Sequence, residues 1–122
     1  MQKVIFDSSF LMAVVETPTT WFEDMTEGIG RFQPVLLGCV RAELEKLASG
    51  QGKKSKSARV ALELASNFSA APCGGGPVDS EIQSAALTSG ASVATTDSEL
   101  MATLRAAHGK VVTLRRGRVS LG

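Results

Sequence analysis

The chain of 122 residues has one histidine, two cysteines, four prolines and no tyrosine. With His108 as the sole histidine, Ser-His-Asp or Cys-His catalysis has a single candidate base, and nothing around it resembles a nucleophile turn. A basic side chain near a helix end, followed by Gly109, reads instead as a C-terminal cap. Cys39 and Cys73 come without a secretion signal and are expected as two reduced thiols, and two Cys with one His lack the close spacing of a zinc site. The longest apolar run, Phe10–Val15, falls far short of the roughly 20 residues that span a bilayer. The N-terminus shows no basic stretch leading into an apolar signal segment, so a soluble, cytoplasmic protein with no membrane partner is expected. Charge of one sign is also missing: 13 Lys and Arg against 12 Asp and Glu leave a net charge of +1. What is present suffices for one globular domain over residues 1–122, since a chain this long buries roughly two-thirds of its unfolded surface.

Along the chain, short apolar runs alternate with helical patterns. Strands are expected at Val4–Phe6, Pro34–Gly38, Phe68–Ala71, Ser92–Thr95, Val111–Leu114 and Val119–Leu121. Helices are expected over Ser9 to about Val15 and Trp21 to about Gly28. Another carries Val40, Leu44, Leu47 and Ala48, and three more span Ala58–Asn67, Asp79–Ser89 and Asp97–Ala107. Thr17–Thr20 with Pro18 reads as a turn, Ser49–Ser57 as a mobile basic loop, and Pro72–Pro77, with three consecutive glycines, as a second loop. Val60, Leu62, Leu64 and Ala65 are expected to supply the apolar surface of their helix. Strands alternating with helices imply right-handed parallel crossovers, hence a three-layer α/β/α sandwich around a mainly parallel sheet.

The acids carry the chemistry. There are four aspartates, and three of them stand at element junctions: Asp7 closes the first strand, Asp79 opens a helix after the glycine loop, and Asp97 follows the strand ending near Thr95. In an open parallel sheet, ligands bind outside the carboxyl ends of the strands, where Asp7 and Asp97 fall. Glu43 lies about 70° from the apolar stripe of its helix at about 100° per residue, so it can lean over the sheet edge while Glu45 faces water. Acids converging on one edge repel unless a divalent cation neutralises them, and oxygen-only donors suit Mg²⁺ or Mn²⁺. Ser9, Thr95 and Thr96 place hydroxyls beside two of the acids. Each acid also has a plainer explanation. Thr96 with Glu99 makes a capping box that puts Asp97 in the first helical turn, Asp79 can be a helix cap, and Glu43 a solvated helix residue.

The motifs VIFDSS, RAELEKLA, VDSEI, ATTDSEL and VVTLRRGRVSL, in this order over nearly the whole chain, resemble the PIN-domain family of metal-dependent ribonucleases. The resemblance implies an acidic centre of Asp7, Glu43, Asp79 and Asp97 that serves as both metal and catalytic site. It also implies supporting polar residues at Ser9 and at Thr95 or Thr96, where many members have Asn at the positions of Ser9 and Thr96. The implied reaction is hydrolysis of RNA phosphodiester bonds with Mg²⁺ or Mn²⁺ as cofactor. The LEKLA segment, the basic loop after it and the LRRGR hairpin look most like small archaeal proteins related to rRNA-processing PIN nucleases, which makes rRNA or its precursor an expected partner. Similarity to toxin-type members is looser, so an antitoxin partner is not indicated.

An acidic pocket repels RNA, and positive charge has to stand nearby. Residues 1–50 hold four Lys or Arg against seven acids, whereas residues 51–122 hold nine against five. Lys53, Lys54 and Lys56 form one candidate RNA-binding cluster, and Arg115, Arg116 and Arg118 the other. Two further readings stay open at this point, a non-catalytic RNA-binding or assembly module and a Mg²⁺-dependent phosphoryl-transfer enzyme on a nucleotide, although no Lys follows Gly74–Gly76 as a phosphate-cradling loop requires. The apolar Phe10–Val15 segment also raises the expectation of a homodimer.

Overall fold

A computed structural model describes residues 1–17 and 19–122, so Pro18 of the expected turn lies outside the described residues. The strands are β1 (Gln2–Phe6), β2 (Phe32–Leu37), β3 (Ser69–Ala71), β4 (Ser92–Ala94), β5 (Lys110–Arg115) and β6 (Arg118–Leu121). The helices are α1 (Ser8–Glu16), α2 (Trp21–Ile29), α3 (Gly38–Ala48), α4 (Lys53–Leu64), α5 (Val78–Ser89) and α6 (Ser98–Ala106). The strands form one sheet in the order β3-β2-β1-β4-β5-β6, parallel except for the β5–β6 hairpin. The three-layer α/β/α sandwich expected from the sequence is therefore present. Successive strands run outward from β1 to β3 and then return to β4 on the other side of β1. With right-handed crossovers, α1 to α4 occupy one face, and α5 and α6 the other.

Burial explains the central strands. Val4, Ile5 and Phe6 are all buried, as are Val35, Leu36 and Leu37, because strands covered on both faces read as continuous apolar runs. Phe6 is the hub of an aromatic cluster, with ring centroids 4.9 Å from Phe68, 5.6 Å from Phe10 and 5.7 Å from Trp21. Phe10, Leu11 and Met12 are also buried in this core, so the segment that suggested a dimer surface packs largely inside its own chain. Among the described residues no helix is long and apolar enough to cross a membrane.

Three expectations need correction. The segment Ser49–Ser57 is not a loop throughout, because α4 begins at Lys53 and turns Ser55 and Ser57 inward, where both are buried. The inner stripe of α4 is Ala58 and Ala61, continued by the expected Ala65 at its C-cap, whereas Val60 is 49% and Leu64 37% exposed. Small side chains at this spacing bring α4 close against its neighbours, and a reading that looks for bulky apolar residues misses such a stripe. The cysteines, finally, are paired. Leu37 of β2 stands opposite Ala71 of β3 in register, so the residues two further on, Cys39 and Cys73, emerge side by side with Cα atoms 6.0 Å apart and form a disulfide.

Candidate active site

In the sheet order observed, β1 has β2 on one side and β4 on the other, and the chain direction of the crossovers reverses between β1 and β4. Such a switch point opens a crevice at the carboxyl ends of the two strands. Asp7 and Thr95 stand at that place, directly after Phe6 and Ala94, which are paired in register. Asp7 is only 5% exposed. It occupies the N-cap position of α1 without capping the helix, because its Oδ2 is engaged elsewhere. Ser9 Oγ donates to Asp7 Oδ2 at 2.6 Å and Thr95 Oγ1 donates to the same oxygen at 2.7 Å. Both bonds that fix the carboxylate converge on one oxygen, which leaves Oδ1 without a hydrogen-bond partner among the described residues.

Asp97 repeats this division. Its Oδ1 accepts from the amides of Glu99 at 2.9 Å and Leu100 at 3.2 Å, and Oδ2 takes no part. Asp97 is thus the N-cap of α6, one residue earlier than a capping box at Thr96 would put it. Thr95 Oγ1 accepts from the Asp97 amide at 3.0 Å, and Ser9 Oγ accepts from the Thr96 amide at 3.1 Å. The candidates Ser9 and Thr95 therefore tie Asp7 to Asp97. Thr96 takes part through its backbone amide.

The other two acids arrive on helices. Glu43 stands on α3 just over one turn from its start, and its Oε1 accepts a hydrogen bond from Ser8 Oγ. Ser8 was not singled out from the sequence, since a serine at a helix start reads as a cap. Here its hydroxyl turns to Glu43. Asp79 lies in the first turn of α5, which begins at Val78, and so is not its cap. Its pKa is raised, first by burial of the carboxyl and then by the negative charges of Asp7, Asp97, Glu43 and Glu99. The charges of the other three expected acids thus reach Asp79, and so does that of Glu99, which the sequence reading used only as a capping partner.

Among the described residues no three Asp, Glu, His or Cys side chains close into a ready-made metal cage. That suits some cations better than others. Mg²⁺ keeps several waters and is commonly held by one or two carboxylates plus substrate phosphates, whereas zinc demands a closed tetrahedral set. A carboxylate-only donor set with one oxygen held and the other free of structural bonds, on Asp7 and again on Asp97, fits a hydrated divalent cation.

The basic clusters are placed unequally. β5 is in register with β4 at Ala94 and Val112 and continues to Arg115. Three further residues carry it about 10 Å past the end of β4, on the side of the acids. The hairpin there turns through Arg116 at φ 52° and Gly117 at φ 77°, the positive pair that a tight two-residue turn requires. Arg118 is already engaged. Its Nε and Nη2 donate to Asp24 at 2.9 and 3.1 Å, the Val119 amide adds a third bond, and the Asp24 pKa is held down at about 2, chiefly by Arg118. Lys54 is paired with Glu16 at 3.1 Å. Glu16 ends α1, and that helix starts at the acids and carries the chain about 12 Å away from them at 1.5 Å per residue. Lys53, Lys54 and Lys56 therefore start α4 at the end of α1 remote from the crevice.

A sequence model of the PIN-like domain matches residues 4–118. The chain belongs to the PIN-like domain family. Among solved structures it is similar to the PIN domain endonuclease Utp24, with a TM-score of 0.81 and 25% identity over 98% of this chain and 90% of that one. A domain of a functionally unknown protein from Methanocaldococcus jannaschii DSM 2661 matches with a TM-score of 0.67 and 17% identity, covering 100% of this chain and 97% of that one. PAE2754 from Pyrobaculum aerophilum matches with a TM-score of 0.53 and 19% identity, over 83% and 78% of the two chains. No curated protein matches the sequence. Membership of a PIN-like family and similarity to an endonuclease agree with a nuclease role for this PIN-like chain.

Proposed function

We propose that this PIN-like protein is a divalent-metal-dependent endoribonuclease that hydrolyses RNA phosphodiester bonds, with rRNA or its precursor as the substrate class. The reading is carried by the crevice at the end of β1 and β4, where the charges of Asp7, Asp97 and Glu43 all act on Asp79. Similarity to the endonuclease Utp24 over 98% of the chain supports it.

Asp7 and Asp97 would hold Mg²⁺ or Mn²⁺, with Asp79 and Glu43 completing the negative wall. When bound, the cation supplies water activation and charge neutralisation at the phosphate. Ser9 and Thr95 orient the Asp7 carboxylate by donating to Oδ2. Ser8 keeps Glu43 turned toward the crevice, where its carboxylate can orient the attacking water or extend the cation site. Arg115 and Arg116 on the projecting hairpin draw the RNA backbone toward a pocket that would otherwise repel it. The test is cleavage of end-labelled structured and single-stranded RNA in Mn²⁺ or Mg²⁺ by the wild type and by Asp97→Asn. Internal cuts that vanish with chelator and in the variant are expected. Cleavage that survives either one refutes the assignment.

A further inference from the structure

We propose that the Cys39–Cys73 disulfide is a thiol-exchange site that controls how tightly the acidic crevice binds its cation. The proposal rests on the metal-site reading above and concerns the regulation of that site.

The four acids are anchored in two different ways. Asp7 and Asp97 belong to one network, built by Ser9 and Thr95 at the ends of the central strands. Asp79 stands outside that network, and Glu43 is tied to it only through the hydroxyl of Ser8, the neighbour of Asp7 and Ser9. Cys39 precedes Glu43 by about one turn of α3, and its amide donates to Cys73 Sγ at 3.3 Å. Cys73 opens the glycine segment that leads into α5 and Asp79. That segment is held at its other end by Glu81 of α5, whose carboxylate accepts from the amide of Gly74 and, at 3.3 Å, from that of Gly76. A covalent link and one carboxylate thus set the start of α3 against the start of α5. Glu43 and Asp79 are positioned across that link. Both cysteines are only half-buried and the glycines beside Cys73 are exposed, so the bridge lies near the protein surface.

The exchange needs a dithiol as reductant. One of its thiolates attacks a sulfur of the pair, the Cys39–Cys73 bond breaks, and a mixed disulfide forms. The second thiol of the reductant then displaces the remaining cysteine. Two electrons pass to the protein, both cysteines leave as thiols after taking up two protons, and the reductant leaves as its disulfide. Burial of Val40 and Leu44 continues to hold α3 in place. What is lost is the covalent tie between the start of α3, which carries Glu43, and the segment that leads to Asp79.

The test compares air-oxidised protein with protein reduced by dithiothreitol and desalted without oxygen, alongside Cys73→Ser and Asp7→Asn. Mn²⁺ binding to each, without RNA, is followed by the electron paramagnetic resonance of free Mn²⁺, and secondary structure by far-ultraviolet circular dichroism. Reduction is expected to weaken Mn²⁺ affinity about five- to tenfold with the dichroism unchanged, and reoxidation to restore it. Cys73→Ser is expected to bind weakly and to ignore the dithiol; if that variant fails to fold, the reduced wild type carries the comparison. Equal affinity of the two redox forms, with Asp7→Asn abolishing binding in both, would overturn the switch and leave the metal site standing. No Mn²⁺ binding in either form would overturn both. Two free thiols in the air-oxidised protein, or loss of the dichroism signal on reduction, would also refute the switch, since the bridge would be absent or would hold the fold instead of the site.

Discussion

Asp7→Asn should separate the stability of this fold from its chemistry. An asparagine can place its amide oxygen where Asp7 Oδ2 now accepts from Ser9 and Thr95, so both bonds can persist. The bonds weaken because a charged acceptor becomes neutral, a loss of roughly 0.5–1 kcal/mol. Against that, the variant removes a charge that is buried at 5% exposure and that repels Asp79. Like charges several ångströms apart, in the effective dielectric near a protein surface, repel by about 1–2 kcal/mol. Relief of repulsion wins, and the metal-free variant should be more stable by roughly 0.5–1 kcal/mol, which for a chain of this size raises Tm by about 2–5 °C. Cation binding reverses the order. At 100 times its Kd a ligand stabilises the state it binds by about 2.7 kcal/mol, or about 8–13 °C here. Differential scanning fluorimetry with and without Mn²⁺ measures both terms. A metal-free variant that melts well below wild type, or an equal Mn²⁺ shift in the two proteins, would refute the reasoning.

Ser8→Ala removes the partner of Glu43 and should weaken Mn²⁺ binding about three- to tenfold, the size of one hydrogen bond, while stability stays within about 0.5 kcal/mol; calorimetric titration and thermal melts check the two. Asp24 titrates at about 2 when folded against 3.8 when unfolded, so its ion pair adds stability above pH 3.8 that is lost as pH falls toward 2. Acid melts of Asp24→Asn should lack that loss. Asp79 works in the opposite sense. With its pKa raised when folded, the metal-free protein should lose stability as pH rises from 3.8 through the raised value, and Asp79→Asn should flatten that slope in the same melts. Arg115→Ala and Arg116→Ala should each reduce the salt dependence of RNA binding by about one unit of slope, whereas Lys53→Ala and Lys56→Ala should leave cleavage rates near wild type. Fluorescence anisotropy across a salt series, with cleavage assays beside it, distinguishes the two clusters.

The acids were legible because strand ends are legible. An aspartate that stops a buried apolar run, as Asp7 stops Val4–Phe6, announces the edge of a sheet, and the alternation of elements puts Asp97 on the same edge. Other features depend on relationships that periodicity does not carry. The start of α4 was hidden because Ser55 and Ser57 look like loop residues until the neighbouring helices cover them. The disulfide depends on the register of β2 against β3, and the bond between Ser8 and Glu43 spans 35 residues. Asp24, the one aspartate away from the site, looked idle in the sequence. It latches the β5–β6 hairpin to α2, a pairing between residues 94 apart. Charge runs do not carry position, since Lys53, Lys54 and Lys56 compose one cluster in the sequence and begin a helix at the end of α1 away from the acids.

The shortness of β3 has its own consequence. Ser69–Ala71 is an edge strand of three small residues, with no bulky side chain to choose one alignment against β2 over the next. A slip by one position moves a strand about 3.3 Å and turns every side chain to the opposite face. The bond from Cys39 to Cys73 allows one alignment only, because it ties the residues that follow the last in-register pair. It therefore acts as a stop against sliding. It also guards the open backbone edge of β3, where a strand free to shift could recruit a second chain and begin to aggregate.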